Sequence, residues 1–166
     1  MANNNKEVVS LLVANQANVL ARIVNLFGRR GFNIDSLTVS TTEDPNISRI
    51  TIVCDVADQD LYQIITQTQK LEVVKDIFTL DSANSLYREL LLVKVKIDKK
   101  ERSQLKEIVD IYRAKIIDLK KDCLIIELTG KPSKIDGFME MIDCFDLVEV
   151  CRTGITGISK GLGIRA

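Results

Sequence analysis

Three asparagines stand at junctions between candidate elements: Asn15 at the end of an apolar run, Asn18 at the head of an amphipathic stretch, and Asn33 just after Gly31-Phe32. An amide side chain carries a donor and an acceptor, so it can meet both a carboxylate and an ammonium, and a free amino acid presents both. The chemistry open to such groups is recognition rather than bond making. Asn15-Gln16-Ala17-Asn18 reads as a polar turn leading into a helix N-terminus, whose free N–H groups and dipole favour a carboxylate. Each residue also has a plainer role. Asn18 fits the N-cap position, where its side chain accepts from those same N–H groups. Asn15 suits a turn, Asn33 can simply begin a strand, and Ile34 reads as core.

Other chemistry is thin. The chain has no histidine, which removes the commonest general base and the Ser-His and Cys-His nucleophile pairs. Cys54, Cys123, Cys144 and Cys151 are scattered without a C-x-x-C pair, so they read as free thiols and not as a metal site. Four of the eight glycines follow Thr153, in TGITGISKGLGIRA. A phosphate loop needs Gly-Lys followed by Ser or Thr, and the order here is Ser159-Lys160-Gly161, so that motif is absent. The segment reads as a flexible tail, or as one that docks on a partner.

Composition narrows the class further. At 46% hydrophobic and 28% charged residues, the chain has the make-up of an ordinary globular protein. Its 23 basic and 23 acidic residues cancel, which argues against a nucleic-acid partner. There is no apolar run long enough for a membrane span, and the polar Met1–Glu7 lacks the apolar core of a signal peptide. A cytoplasmic location is expected.

The elements that would hold these residues come twice. Val8–Ala14 is a short buried strand. Val19, Leu20, Ile23, Val24, Leu26 and Phe27 form a helical apolar stripe, with Arg22, Arg29 and Arg30 on the solvated side and Gly31 as the residue after the C-cap. Asn33–Thr42 and Ser48–Val56 are strands joined by the turn Glu43-Asp44-Pro45-Asn46. Asp58 caps a helix bearing Leu61, Ile64 and Ile65, and Leu71–Leu80 returns as a strand. The pattern then repeats: strand Arg88–Ile97, a helix bearing Leu105, Ile108, Val109 and Tyr112, strands Ala114–Lys120 and Cys123–Thr129, a helix capped by Ser133, and strand Asp146–Arg152. The fold class is α+β, two tandem ferredoxin-like β-α-β-β-α-β domains with antiparallel sheets. The RNA-recognition motif shares that order, but the third strand, Ser48–Asp55, has no aromatic on which a base could stack.

Particular residues carry a resemblance. Asn15-Gln16-Ala17-Asn18-Val19-Leu20-Ala21-Arg22, Leu26-Phe27, the stretch Arg30-Gly31-Phe32-Asn33-Ile34-Asp35-Ser36-Leu37-Thr38-Val39, Ser48-Arg49-Ile50-Thr51-Ile52, Arg88-Glu89-Leu90 and Val148–Gly154 together resemble the small, regulatory subunit of acetohydroxyacid synthase (acetolactate synthase). The resemblance spans nearly the whole chain. It implies an ACT domain over 1–81 for effector binding and dimerisation, a linker over 82–87, a second ferredoxin-like domain over 88–153 and a Gly-rich tail over 154–166. It further implies a non-catalytic homodimer that activates a large catalytic subunit and confers feedback inhibition by valine, or by isoleucine or leucine. Thiamine diphosphate, magnesium and FAD would belong to that large subunit, with no cofactor in this chain. The effector would sit between Asn15, Gln16, Ala17, Asn18, Val19 and Leu20 of one chain and Asn33 and Ile34 of its partner. The family commonly has glycine where this chain has Asn18. If that glycine serves to let a carboxylate approach the backbone, the side chain obstructs it and weakens feedback. If it serves only to take positive φ, Asn replaces it. A stand-alone amino-acid-sensing regulator of some other target is the alternative.

Overall fold

The computed structural model describes residues 6–56 and 58–161. In chain order the elements are β1 (Lys6–Ala14), α1 (Val19–Arg29), β2 (Ile34–Thr41), β3 (Ile47–Asp55), α2 (Asp58–Gln69), β4 (Val74–Thr79), β5 (Ser85–Lys96), α3 (Glu101–Tyr112), β6 (Lys115–Leu119), β7 (Cys123–Gly130), α4 (Pro132–Ile142), β8 (Asp146–Arg152) and β9 (Thr156–Ser159). The strands form two sheets, ordered β2-β3-β1-β4 and β6-β7-β5-β8, with β9 paired to β5. The ladders within β2-β3-β1-β4 and within β6-β7-β5-β8 are antiparallel. This is the doubled β-α-β-β-α-β arrangement that the apolar periodicities predict.

Two compact units result. One takes the chain up to Leu86 and takes it again from Ile155; the other is Tyr87–Gly154. In the first, alternate residues of β1 and β3 (Val9, Leu11, Val13 and Ile50, Ile52, Cys54) pack with Val19, Ile23 and Phe27 of α1 and Ile64 of α2. In the second, Leu91, Val93 and Val95 of β5 and Leu124, Ile126 and Leu128 of β7 meet Leu105, Ile108 and Val109 of α3 and Ile135, Phe138 and Ile142 of α4. Alternation places one set of strand residues on the helix side and the next on the other side.

That other side of the first sheet holds the described part of the segment read as a flexible tail, which is ordered there and not loose. Gly154 turns at φ 78, and beyond it Ile155–Lys160 lies along the sheet. Thr38 Oγ1 donates to the Ile155 carbonyl at 3.2 Å, and Arg49 Nη1 to the Gly157 carbonyl at 3.4 Å. Lys160 donates from N to the Asn84 carbonyl and from Nζ to the Ala83 carbonyl. Gly157 is buried, and a residue without Cβ lets the backbone lie near the sheet there.

Several boundaries differ from expectation: β1 begins at Lys6 rather than Val8, and β2 at Ile34 rather than Asn33. β5 begins at Ser85, inside the segment read as linker, and β4 begins at Val74 after a turn at Leu71–Val73. The last helix starts before Ser133: Lys131 is its N-cap, extended at φ −66 and ψ 153, and Pro132 follows at the first helical position. Proline fits there because its missing N–H is one the helix could not bond anyway. The cap expected from Asp58 falls on a side chain outside the described residues.

Candidate functional site

Asn15 directly follows β1 and is fixed twice. Its backbone N–H donates to the Asn46 carbonyl at 2.7 Å, and its Nδ2 donates to the Pro45 carbonyl at 2.8 Å. Both acceptors lie in the turn between β2 and β3, so that hairpin holds the β1–α1 turn in place. Sequence reading marks Pro45 and Asn46 only as a turn, because their part is played by backbone carbonyls, which leave no side-chain pattern. A carbonyl acceptor also fixes which way the Asn15 amide points. Its oxygen is left over, and it takes no partner among the described residues.

Asn18 occupies the N-cap position of α1 but makes no side-chain cap bond, which corrects the capping role expected of it. It sits instead in the left-handed region, at φ 66 and ψ −1. Asparagine tolerates this conformation better than other non-glycine residues. With the side chain unavailable, the Asn18 carbonyl accepts from Arg22 N at 3.1 Å, while the N–H of Val19 reaches only the Gln16 carbonyl at 3.5 Å. The N–H groups of Leu20 and Ala21 have no acceptor among the described residues. No acidic residue stands in the first turn of α1. The positive end of the helix is therefore open, and Asn15, Gln16, Ala17, Asn18 and Leu20 are exposed beside it while the Val19 side chain is buried in the core.

Asn33 directly precedes β2, which begins at Ile34. Asn33 Nδ2 donates to Asp35 Oδ1 at 2.8 Å, and Asp35 Oδ2 pairs with Lys6 Nζ at 3.0 Å. Like Asn15, Asn33 uses its donor internally and keeps its carbonyl oxygen. Ile34 is half-buried against the core and lies opposite Cys54, after which the register slips so that Ser36 pairs with Val53. The bulge falls at Asp35. The Cys54 thiol is fully buried. Its pKa is pushed up to about 11, first by burial and then by the carboxylates Glu7, Asp35 and Asp55. Such a thiol is inert at neutral pH.

The two groups of residues do not meet within one chain. Ala14 is level with Ile47 on β3, whereas Ile34 is level with Cys54 at the other end of the same strand. From Ile47 to Cys54 is seven steps, or about 24 Å at the usual rise of an antiparallel strand. The α1 end offers N–H donors for an anion and the Asn15 oxygen for a cation, and the other end offers the Asn33 oxygen as a second acceptor. Among the described residues, no cluster of histidine, cysteine or carboxylate side chains could hold a metal ion. None of the helices there is long and apolar enough to cross a membrane.

Comparison with known proteins covers both units. Residues 9–76 match the family described as the AHAS small subunit-like ACT domain, and residues 88–161 match that described as the small subunit of acetolactate synthase. The chain is 41% identical to the acetolactate synthase small subunit of Mycolicibacterium smegmatis over 92% of its own length and 90% of the relative's. It is 40% identical to the probable acetolactate synthase small subunit of Archaeoglobus fulgidus, over 94% and 98%. The crystal structure of the acetolactate synthase small subunit from Thermotoga maritima aligns with a TM-score of 0.87 at 37% identity, covering 94% of this chain and 98% of that one.

Proposed function

The chain belongs to the family of acetolactate synthase small subunits, and from that premise we propose that it is an effector-binding homodimer that activates the large catalytic subunit and makes it sensitive to a branched-chain amino acid, chiefly valine. The chemistry, with its thiamine diphosphate, magnesium and FAD, belongs to the large subunit in this reading, and the complex works in the cytoplasm. The observation that carries the reading is the separation of the two half-sites. β2 is an edge strand of its sheet. Antiparallel pairing of β2 with β2 of a second copy brings Asn33 and Ile34 of one chain to the end of the sheet where Asn15–Leu20 of the other stand. The effector carboxylate then takes the open N–H groups of α1, its ammonium takes the asparagine oxygens, and Ile34 and Leu20 supply apolar surface for a branched side chain. In this reading Asn18 preserves the left-handed turn and leaves valine feedback working.

A mixing experiment tests the two-chain site. By calorimetry the parent chain binds L-valine at sub-millimolar concentration, about −4 kcal/mol or better. Asn15→Ala and Asn33→Ala each weaken binding about tenfold or more, since each loses a hydrogen bond to a charged group. When the two variants are refolded together, heterodimers recover one intact site, built from Asn15 of one chain and Asn33 of the other. No recovery on mixing would refute the shared site. Valine binding without co-purification of, or stimulation of, the catalytic subunit would instead favour a regulator of another target.

A further inference from the structure

The C-terminal segment raises a question the effector site does not answer: why the chain returns from the second unit to lie on the first. Its departure point is locked. Thr153 N donates to the Leu90 carbonyl at 3.0 Å, and Leu90 N donates to Thr153 Oγ1 at 3.1 Å. Arg152 pairs with the buried Glu89 at 2.7 Å and with Asp136 of α4 at 2.9 Å. Its arrival point follows almost at once, because Ile155 already accepts from Thr38 on β2. A connection this short spans at most about 3.6 Å per residue, so it absorbs little displacement. The far end is held by Lys160 on the Ala83 and Asn84 carbonyls. Between them Arg49, which reaches Gly157, also lies over the Phe78 ring at 6.0 Å. Thr38, Arg49 and Thr51 share the face of the sheet opposite the helices, and Ser10, level with Thr51, is buried there with no partner for its hydroxyl among the described residues.

We propose that Ile155–Lys160 is a strap that carries the state of β2 to the second unit, so that it transmits the response to effector without taking part in effector binding. The proposal rests on the effector reading above, because β2 is the strand that opens with Ile34, directly after Asn33. A shift of β2 that accompanies effector binding is either followed by the strap or breaks its contacts. In both cases the chain at Arg152-Thr153 feels it. Allosteric response of this kind requires differential contacts in two states, and the hydroxyl of Thr38 and the guanidinium of Arg49 supply them.

The test uses the full complex with the catalytic subunit and two independent changes: a Thr38→Val, Arg49→Met double variant, and a chain ending after Gly154. In each, valine binding by calorimetry stays within about twofold of the parent and stimulation of the catalytic subunit persists. The activity remaining at saturating valine rises about fivefold or more, the lower end of coupling between sites. Inhibition equal to the parent's in both variants overturns the strap while leaving the effector site standing. So does loss of binding in step with loss of inhibition, which would make the segment merely structural. Failure of valine to bind the parent overturns the effector reading and this proposal with it.

Discussion

The turns β1–α1 and β5–α3 occupy equivalent places in the two repeats, and their anchoring is alike. In the first repeat Asn15 N donates to Asn46 in the hairpin between the second and third strands; in the second, Ile97 N donates to Asp122 in the corresponding hairpin. A side chain reinforces each: Asn15 Nδ2 on the Pro45 carbonyl, Arg102 Nη2 on the Lys121 carbonyl at 2.8 Å. The helix starts differ. Asp98 Oδ1 accepts from the N–H groups of Lys100 and Glu101, and Glu101 Oε2 reaches back to Asp98 N at 2.9 Å. This reciprocal closure is a capping box, and it puts a carboxylate at the positive end of α3. Lys100, which directly precedes α3, makes no side-chain cap bond, so the closure comes from Asp98 two residues earlier; at α1 Asn18 makes no cap bond either, and no acid stands in the first turn. The second repeat satisfies its helix from within; the first leaves the same groups open to something from outside.

The comparison can be broken at its base by asking whether the cores are equivalent. Phe27 and Phe138 are both fully buried, each on a helix facing its own sheet. Phe27→Ala and Phe138→Ala are each expected to cost about 3–5 kcal/mol in denaturant unfolding. A much smaller loss at one of them would mean that the two repeats are not packed alike. The turns themselves should then part company. Asp98→Ala lowers stability by about 1 kcal/mol, because it removes a working cap. Asn18→Gly leaves stability unchanged or raises it slightly, because it relieves a left-handed residue and loses no cap bond. A clear loss on Asn18→Gly would show that the Asn18 side chain supports the turn after all.

The smallest expected difference concerns the thiols. Cys54 is buried in the first unit, while Cys144 and Cys151 of the second are exposed. At pH 8 an alkylating reagent should label Cys144 and Cys151 in the native protein and spare Cys54, with mass spectrometry of peptides as the readout. The sign for stability follows from linkage. The Cys54 pKa is raised from 9.0 to about 11 in the folded chain. The unfolded chain therefore loses this proton first, and the contribution of Cys54, fully present below pH 9, disappears as the pH rises toward 11. A Cys54→Ser chain compared over that range isolates it.

Most of the fold is legible because its signals are local. The alternation in Ile50, Ile52, Cys54 and the helical spacing of Leu105, Ile108, Val109 and Tyr112 each declare one element and one buried face. The candidate site is legible as a set of residues but not as a shape. Asparagine serves both as a side-chain cap and as a tolerant left-handed residue, so Asn18 is compatible with two opposite structures and the sequence does not choose between them. Ser133 misleads for a related reason, since Pro132 supplies a competing start. The strap escapes altogether. Its contacts are carbonyls accepting from Thr38 and Arg49, more than a hundred residues away in sequence, and its glycines look the same whether they loosen a chain or let it lie close.

The return of the chain at Ile155 makes the second unit an insertion within the first. Its two ends are adjacent, since Thr153 is bonded to Leu90. Deletions from the C-terminus accordingly strip the first unit before they touch the second, the reverse of what residue order suggests. Synthesis has the same inversion. Translation emits about 5–20 residues each second, so the inserted cassette can close as soon as β8 emerges, while the unit begun earlier still waits for its final stretch. The oldest part of the nascent protein is the last to be finished, and an unfinished regulatory domain keeps one face of its sheet bare until then.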